Sequence, residues 1–225
     1  MSSSDVKLDP LNSPHPIPWN WILATQQAAI ATATEQYYRS QSLRSPDGDY
    51  AAYSRIHSQL QPQFTESQIS SILFVEHLAV GGLQTLTSAA PLAATFQGQA
   101  EAPPPGAISI TIPIAWSADS QWLLARSFES LFGTDLASDY ALVWNRSQGQ
   151  SWTIAPSRLK YDHAVLLGWS EHYPGQVLFR VYAMDGDPLV VRVALDGDTL
   201  AAGADQAQVH GQAVNHVWAG PQFGQ

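Results

Sequence analysis

The spacing of apolar residues changes character twice along the chain. Residues 1–18 carry prolines at 10, 14, 16 and 18 and no sustained apolar period, which predicts an extended arm. From Trp19 to about Tyr38 the spacing is helical. Trp19, Ile22, Leu23, Gln26, Ile30, Ala33 and Tyr37 fall near one face, Thr and Gln lie opposite, and no Gly or Pro interrupts. This predicts one helix, packed on the side or end of a sheet domain or offered to a partner.

From Gln41 onward short strand-like runs dominate: Tyr50–Leu60, Ser67–Leu78, Leu83–Thr87, Ile108–Ile114, Trp122–Phe128, Tyr140–Asn145, Ser151–Ile154, Ala164–Trp169, Gln176–Tyr182, Leu189–Leu195 and Val214–Trp218. Gly, Asp and Ser turns part them, the pattern of antiparallel meanders. The expected organisation is an arm and helix over residues 1–40 and a β domain over residues 41–225. The stretch Ala89–Gly106, with Pro103-Pro104-Pro105, breaks the pattern, and a Pro-rich loop is expected at residues 97–107 as an insertion between repeats.

Three segments align: Ser45–Arg55 (SPDGDYAAYSR), Trp116–Arg126 (WSADSQWLLAR) and Trp169–Arg180 (WSEHYPGQVLFR). Each has Ser, a polar turn, an apolar strand and then Arg. Ser to Arg is ten residues in the first and third copies and nine in the second. Each copy continues into a second strand, and Val217-Trp218-Ala219-Gly220 echoes the start of a further unit. One meander cannot bury both its faces, so such units must stack on one another.

These segments resemble the SPDG/WSPDG repeats of WD40-like β-propellers of the TolB and prolyl-oligopeptidase type, over about residues 41–200. The second copy has Ala118 where Pro is usual, and the third replaces the turn with Glu171-His-Tyr-Pro-Gly175. Through SPHPIPWNW, FGTDLASDYALVW and VWAGPQ the whole chain also resembles an uncharacterised cyanobacterial protein family. The resemblance implies a mainly β fold of propeller-like blades, three clear units plus a partial one, with one N-terminal helix. Since propellers use four to eight blades, three closures stay open: a small four-unit ring, an open stack of meanders, or a ring completed by a homodimer.

Composition narrows the function classes. The chain has 225 residues, 45% hydrophobic and 13% charged, with eight Trp, eight Tyr and seven Phe, enough apolar and aromatic surface for a sizeable β core. The net charge of −9 repels phosphate backbones, so nucleic acid is not expected as a partner. Cysteine is absent, which removes disulfides, thiolate catalysis and Cys-ligated zinc. The N-terminus shows no charged start followed by an apolar run, and the apolar runs fall far short of the roughly 18 residues of a membrane span. A soluble, cytoplasmic protein without an integral membrane segment is expected.

Chemistry-bearing motifs are sparse. The seven histidines form no close metal pair, although His210 and His216 would share a strand face. Asp47–Asp49, Asp185–Asp187 and Asp196–Asp198 are Asp-Gly-Asp triplets that read as calcium ligands or as hairpin turns; turns are the expectation, since Gly accepts positive φ and no downstream Glu follows. No Gly-x-Ser-x-Gly elbow occurs, and no catalytic residue, metal or cofactor is assigned. Arg55, Arg126 and Arg180 lie near the ends of equivalent strands. Either each pairs with an acid of a neighbouring strand, or they converge on one rim and receive an acidic partner. Trp152 follows a turn and is a candidate surface contact. Phe132 lies in Phe128–Asp139, read as an apolar insertion that docks on a neighbour. The expected function is a non-catalytic protein–protein interaction or scaffold module. The alternative is a hydrolase or a small-ligand or calcium binder with its site at the propeller-like centre.

Overall fold

The computed structural model describes residues 9–29, 31–99, 101–184 and 186–215. Helix α1 spans Trp19–Ala28. Strands β1 (Thr34–Arg39), β2 (Ser42–Arg44), β3 (Tyr50–Leu60), β4 (Gln68–His77) and β5 (Gly82–Leu86) follow, then a six-residue helix α2 (Pro91–Phe96). The chain continues through β6 (Ala107–Trp116), β7 (Trp122–Leu131), β8 (Ala137–Asn145), β9 (Gln150–Ile154), β10 (His163–Ser170), β11 (Val177–Tyr182) and β12 (Leu189–Val193). Three short strands close the described chain: β13 (Thr199–Ala201), β14 (Ala207–Gln208) and β15 (Gln212–Val214). The fold is mainly β, as the alternation implies.

The repeated serine has a physical role. Ser45 Oγ donates to Asp47 (2.6 Å) and accepts the Tyr50 N–H (3.0 Å), while the Ser45 N–H reaches Tyr50 O (2.9 Å). Ser117 repeats this with Asp119 and Trp122. Gly48 (φ +80°) and Ser120 (φ +61°) occupy the same left-handed corner. In the third copy Ser170 Oγ accepts the Tyr173 N–H (2.8 Å), and its carboxylate partner is Asp205, 35 residues later.

The strands form two sheets. A ten-stranded sheet runs β15-β2-β3-β4-β6-β7-β8-β9, with β1 also on β3 and β5 also on β4; a five-stranded sheet runs β13-β12-β11-β10-β14. Propeller blades would keep each meander separate. Here the first two units share one sheet through a parallel joint, Ile69↔Ile108 and Ser70↔Ser109, and no closed ring forms among the described residues.

Strands β7 and β8 are apolar on both faces because both are covered. Leu124, Phe128, Ala141 and Val143 face β10 and β11 of the second sheet, with Ile17 and Ile22 from the N-terminal region. Leu123, Ala125, Leu142 and Trp144 face Ala52, Leu73 and Val75, where the large sheet curls over itself.

Two expectations are corrected. The helix ends at Ala28 rather than Tyr38, and Thr34–Arg39 instead pairs with β3 from Thr34↔Leu60 to Arg39↔Arg55. Strand β2 covers only Ala51 and Ala52, so without β1 the rest of that β3 edge would leave its backbone groups unpaired; Thr and Tyr suit the strand. Nor is Phe128–Asp139 an inserted loop. The β7–β8 ladder runs on to Ser130↔Ala137, leaving a turn at residues 132–136. The Pro-rich loop is tied down by Gln68 Nε2, which donates to the carbonyls of Pro103 (2.9 Å) and Pro104 (3.2 Å). Strand β15 reaches Val214, the first residue of the expected Val214–Trp218, and Asn215 is a bend; residues 216–218, the Val217–Gly220 echo and His216 lie outside the described residues.

Candidate functional site

The three repeat arginines do not converge. Arg126 is wholly buried between the sheets. Its Nε donates to Asp139 (2.7 Å), one terminal nitrogen donates to Asp9 (2.6 Å) and to His15 O (2.8 Å), and the other reaches Asp9 (3.3 Å). Asp9 also accepts the N–H groups of Leu11 (2.9 Å) and Ile17 (3.1 Å), folding the proline-rich arm around its carboxylate. Asp139 accepts the Leu166 N–H (2.9 Å), and Ser138 Oγ accepts the Ala164 N–H (3.1 Å), so β8 side chains stand in for a neighbouring strand along β10.

Beyond this, β10 bulges between Leu166 and Gly168, and the Leu167 carbonyl accepts from His15 Nε2 (2.9 Å). A carbonyl only accepts, so His15 carries its proton on Nε2. Burial holds His15 below the ordinary histidine range, assisted by nearby Arg126 and opposed by the Leu167 bond. Burial opposes the Asp9 charge, yet the Arg126 and backbone bonds outweigh it and hold its pKa low. Full burial pushes Asp139 up to about 6, against the pull of Arg126. Every donor-rich edge of Arg126 is used internally, which makes this knot a structural clasp.

Arg55 is on the opposite side of the molecule's sheet, in solvent. The outer face of β1, β3, β4 and β5 carries a ladder of rings and cations. Tyr37 stacks on His57 (centroids 4.7 Å, planes 6° apart) and Tyr53 on Phe74 (5.3 Å, 15°). Arg39 lies over Tyr53 (3.9 Å) and Arg55 over Phe74 (5.9 Å). Arg39 is held by Ser40 O and Ser42 Oγ, both 3.2 Å away. Arg55 makes no ion pair among the described residues. Ile72 (47% exposed) sits opposite Arg55 on β4, and Leu83 (56%) lies on β5. The helical spacing that runs to about Tyr38 hides Arg39 at its end; the alternation Tyr37-x-Arg39 is the signal that places both residues on one strand face.

The other candidates are dispersed. Arg180 stands exposed on β11 between Val165 and Val190. Trp152 is half-buried against Trp122 (5.8 Å), and Phe132 packs between Trp19 (6.1 Å) and Phe64 (6.0 Å). Both are therefore packing residues at the edge of the core. Asp47 and Asp49 both pair with Arg146, whose guanidinium lies 4.3 Å over Tyr50. Asp198 pairs with Arg158 (2.6 Å) and closes its turn by donating its N–H to Asp196 (3.0 Å); Asp185 lies outside the described residues. Among the described residues no group of three or more His, Asp or Glu gathers to hold a metal ion. His210 bonds Gln208 (3.2 Å) beside its bridge to Trp116.

Ser170, Asp205 and His172 do meet, but in the wrong order for nucleophilic catalysis. Asp205 takes Ser170 Oγ on one oxygen and His172 Nδ1 (3.0 Å) on the other, so His172 does not receive the serine proton.

A cleft of about 760 Å³ runs beside the arm, between Pro14–Trp21, Tyr38, Ser40–Leu43 and Ile112–Ile114 of β6. The Thr111 N–H bonds Ser71 Oγ (2.7 Å) across the gap to β4, and two residues on, the same edge holds Pro113, which has no N–H to satisfy. No helix among the described residues is long and apolar enough to cross a membrane. Neither a protein-family model nor a curated protein matches the chain.

Proposed function

We propose that this protein is a non-catalytic interaction module that presents the outer face of β1, β3, β4 and β5 to another protein. The observation that carries the reading is a ladder in which exposed Tyr37, Arg55, Ile72 and Leu83 flank half-buried Arg39 and Phe74, with Tyr53 buried beneath Arg39. Tyr and Arg are the residues that dominate protein-binding hot spots, because each covers much area at small entropic cost and keeps a polar end for orientation. The scaffold behind them is rigid: β3 is paired along both edges. The test is quantitative affinity purification of the full chain from its native extract against an Ile72→Asp/Leu83→Asp variant. A partner recovered with the wild type and lost with the variant supports the reading. Recovery of the same set by both overturns it.

A second reading rests on the cleft beside the N-terminal arm, whose volume and mixed apolar and backbone-polar walls suit a small ligand. Thermal-shift screening of a fragment library separates the two: stabilisation abolished by Ile112→Trp favours the cleft.

A further inference from the structure

We infer that the outer face of β1, β3 and β4 takes an acidic peptide segment, with carboxylates seated at the Arg39–Arg55 pair and apolar side chains beside Ile72. This rests on the interaction reading above and names the chemistry of its partner. Arg39 and Arg55 are directly opposite in the β1–β3 register, so two like charges share one cross-strand position. Such a pair is unfavourable unless an anion lies between or over it. No acidic side chain among the described residues pairs with either arginine. Glu35 is engaged with Tyr37 (3.2 Å) and His57 (3.5 Å) at one end of the face. Glu76 is buried at the other, in register with Ala51 and Leu83. This leaves a doubly cationic patch on a protein of net charge −9.

The patch is also pre-ordered. Arg39 is pinned by Ser40 O, Ser42 Oγ and the Tyr53 ring, while its Nε is buried without a partner. Arg55 lies over Phe74 and makes no hydrogen bond or ion pair among the described residues, so its guanidinium is available for bidentate recognition of a carboxylate. The acids at either end limit the patch to a short anionic run, and the exposed Ile72 opposite Arg55 favours a segment in which acidic and apolar side chains alternate. A polyanion such as nucleic acid would meet Glu35 and the overall negative field.

The test is selection of a phage-displayed library of random dodecapeptides on the full chain. Arg55→Glu, Arg55→Lys and Ile72→Asp proteins serve as parallel targets, each checked for native circular dichroism. The expected result is enrichment of peptides carrying Asp or Glu beside aliphatic or aromatic residues. The leading peptide should bind Arg55→Glu about tenfold or more weakly in titration, with Arg55→Lys intermediate, and lose affinity in high salt. Neutral or basic peptides that are enriched on the wild type and lost on Ile72→Asp would leave the interaction face standing and overturn its acidic preference. Acidic peptides retained by Arg55→Glu overturn the inference, as does Arg55-dependent binding of a single-stranded oligonucleotide tighter than any selected peptide. Enrichment no greater than on Ile72→Asp overturns both the inference and the reading beneath it.

Discussion

Arg55 and Arg126, expected near strand ends, stand in the middle of β3 and β7, the strands that follow two copies of one serine turn, yet one is in solvent and the other is sealed between sheets. The difference is a single residue of spacing. The turn hands over to the strand at Tyr50 in the first copy and at Trp122 in the second, as the matching hydrogen bonds to Ser45 and Ser117 show. Arg55 comes five residues after Tyr50, and Arg126 four after Trp122. Side chains alternate along a strand, so an odd and an even step reach opposite faces. The repeat specifies a turn. The count that follows it decides whether the arginine becomes a clasp or a contact.

The largest expected consequence lies on the buried side. Arg126→Ala leaves Asp9 and Asp139 as uncompensated buried carboxylates and should lower unfolding free energy by about 3–5 kcal/mol in urea denaturation. A loss under about 1 kcal/mol would show that the clasp is dispensable. The turns themselves come next. Ser45→Ala and Ser117→Ala each strip a backbone N–H and a carboxylate of their partner, and each should cost about 1–2 kcal/mol. Unequal losses would mean that the two copies share a shape without sharing its energetics.

The clasp also has an acid response. Because His15 is held below its ordinary pKa, the unfolded chain takes up that proton before the folded one. His15 therefore contributes stability above the ordinary histidine value of about 6.5, and that contribution is lost as the pH falls below it. Asp139, raised to about 6, works in the opposite direction below that pH, so the readout is the difference between variants. His15→Gln keeps a donor for Leu167 O, and its melting temperature should rise relative to wild type as the pH falls from about 7 to 5, whereas a constant difference would refute this. Smallest is the surface side. Arg55→Ala should change stability by no more than about 0.5 kcal/mol. A larger loss would mean that Arg55 belongs to the fold rather than to a contact.

Strand positions were readable because polar turns and period-two alternation are local properties: β3 matches its expected span, Tyr50–Leu60, and β7 through β12 follow theirs closely. The second half of the expected helix was not readable. Thr34–Arg39 carries enough helical spacing to satisfy a periodicity argument, and what overrides it is the open edge of a strand eleven residues long. The joining of two repeats into one sheet rests on two parallel pairs between β4 and β6, a long-range choice with no local signature. Asp9 and Asp139 were missed for the same reason, since each looks like an ordinary polar residue until Arg126 arrives beside it. Arg126 itself was singled out as a residue paired with an acid or aimed at a rim, and the first alternative describes it. The nine-residue interval before it was the sign that it differs from Arg55.

The arm's clasp has a consequence for the order of events as the chain folds. Asp9 meets a guanidinium 117 residues further on, and His15 meets a carbonyl 152 residues further on. On a ribosome the arm emerges long before either partner, so it must wait while the large sheet is laid down behind it. Contacts of such sequence separation carry a heavy loop-closure cost and form once local meanders are in place. The arm therefore cannot complete its contacts until Leu167 has emerged, and its docking requires strands of both sheets to be in place.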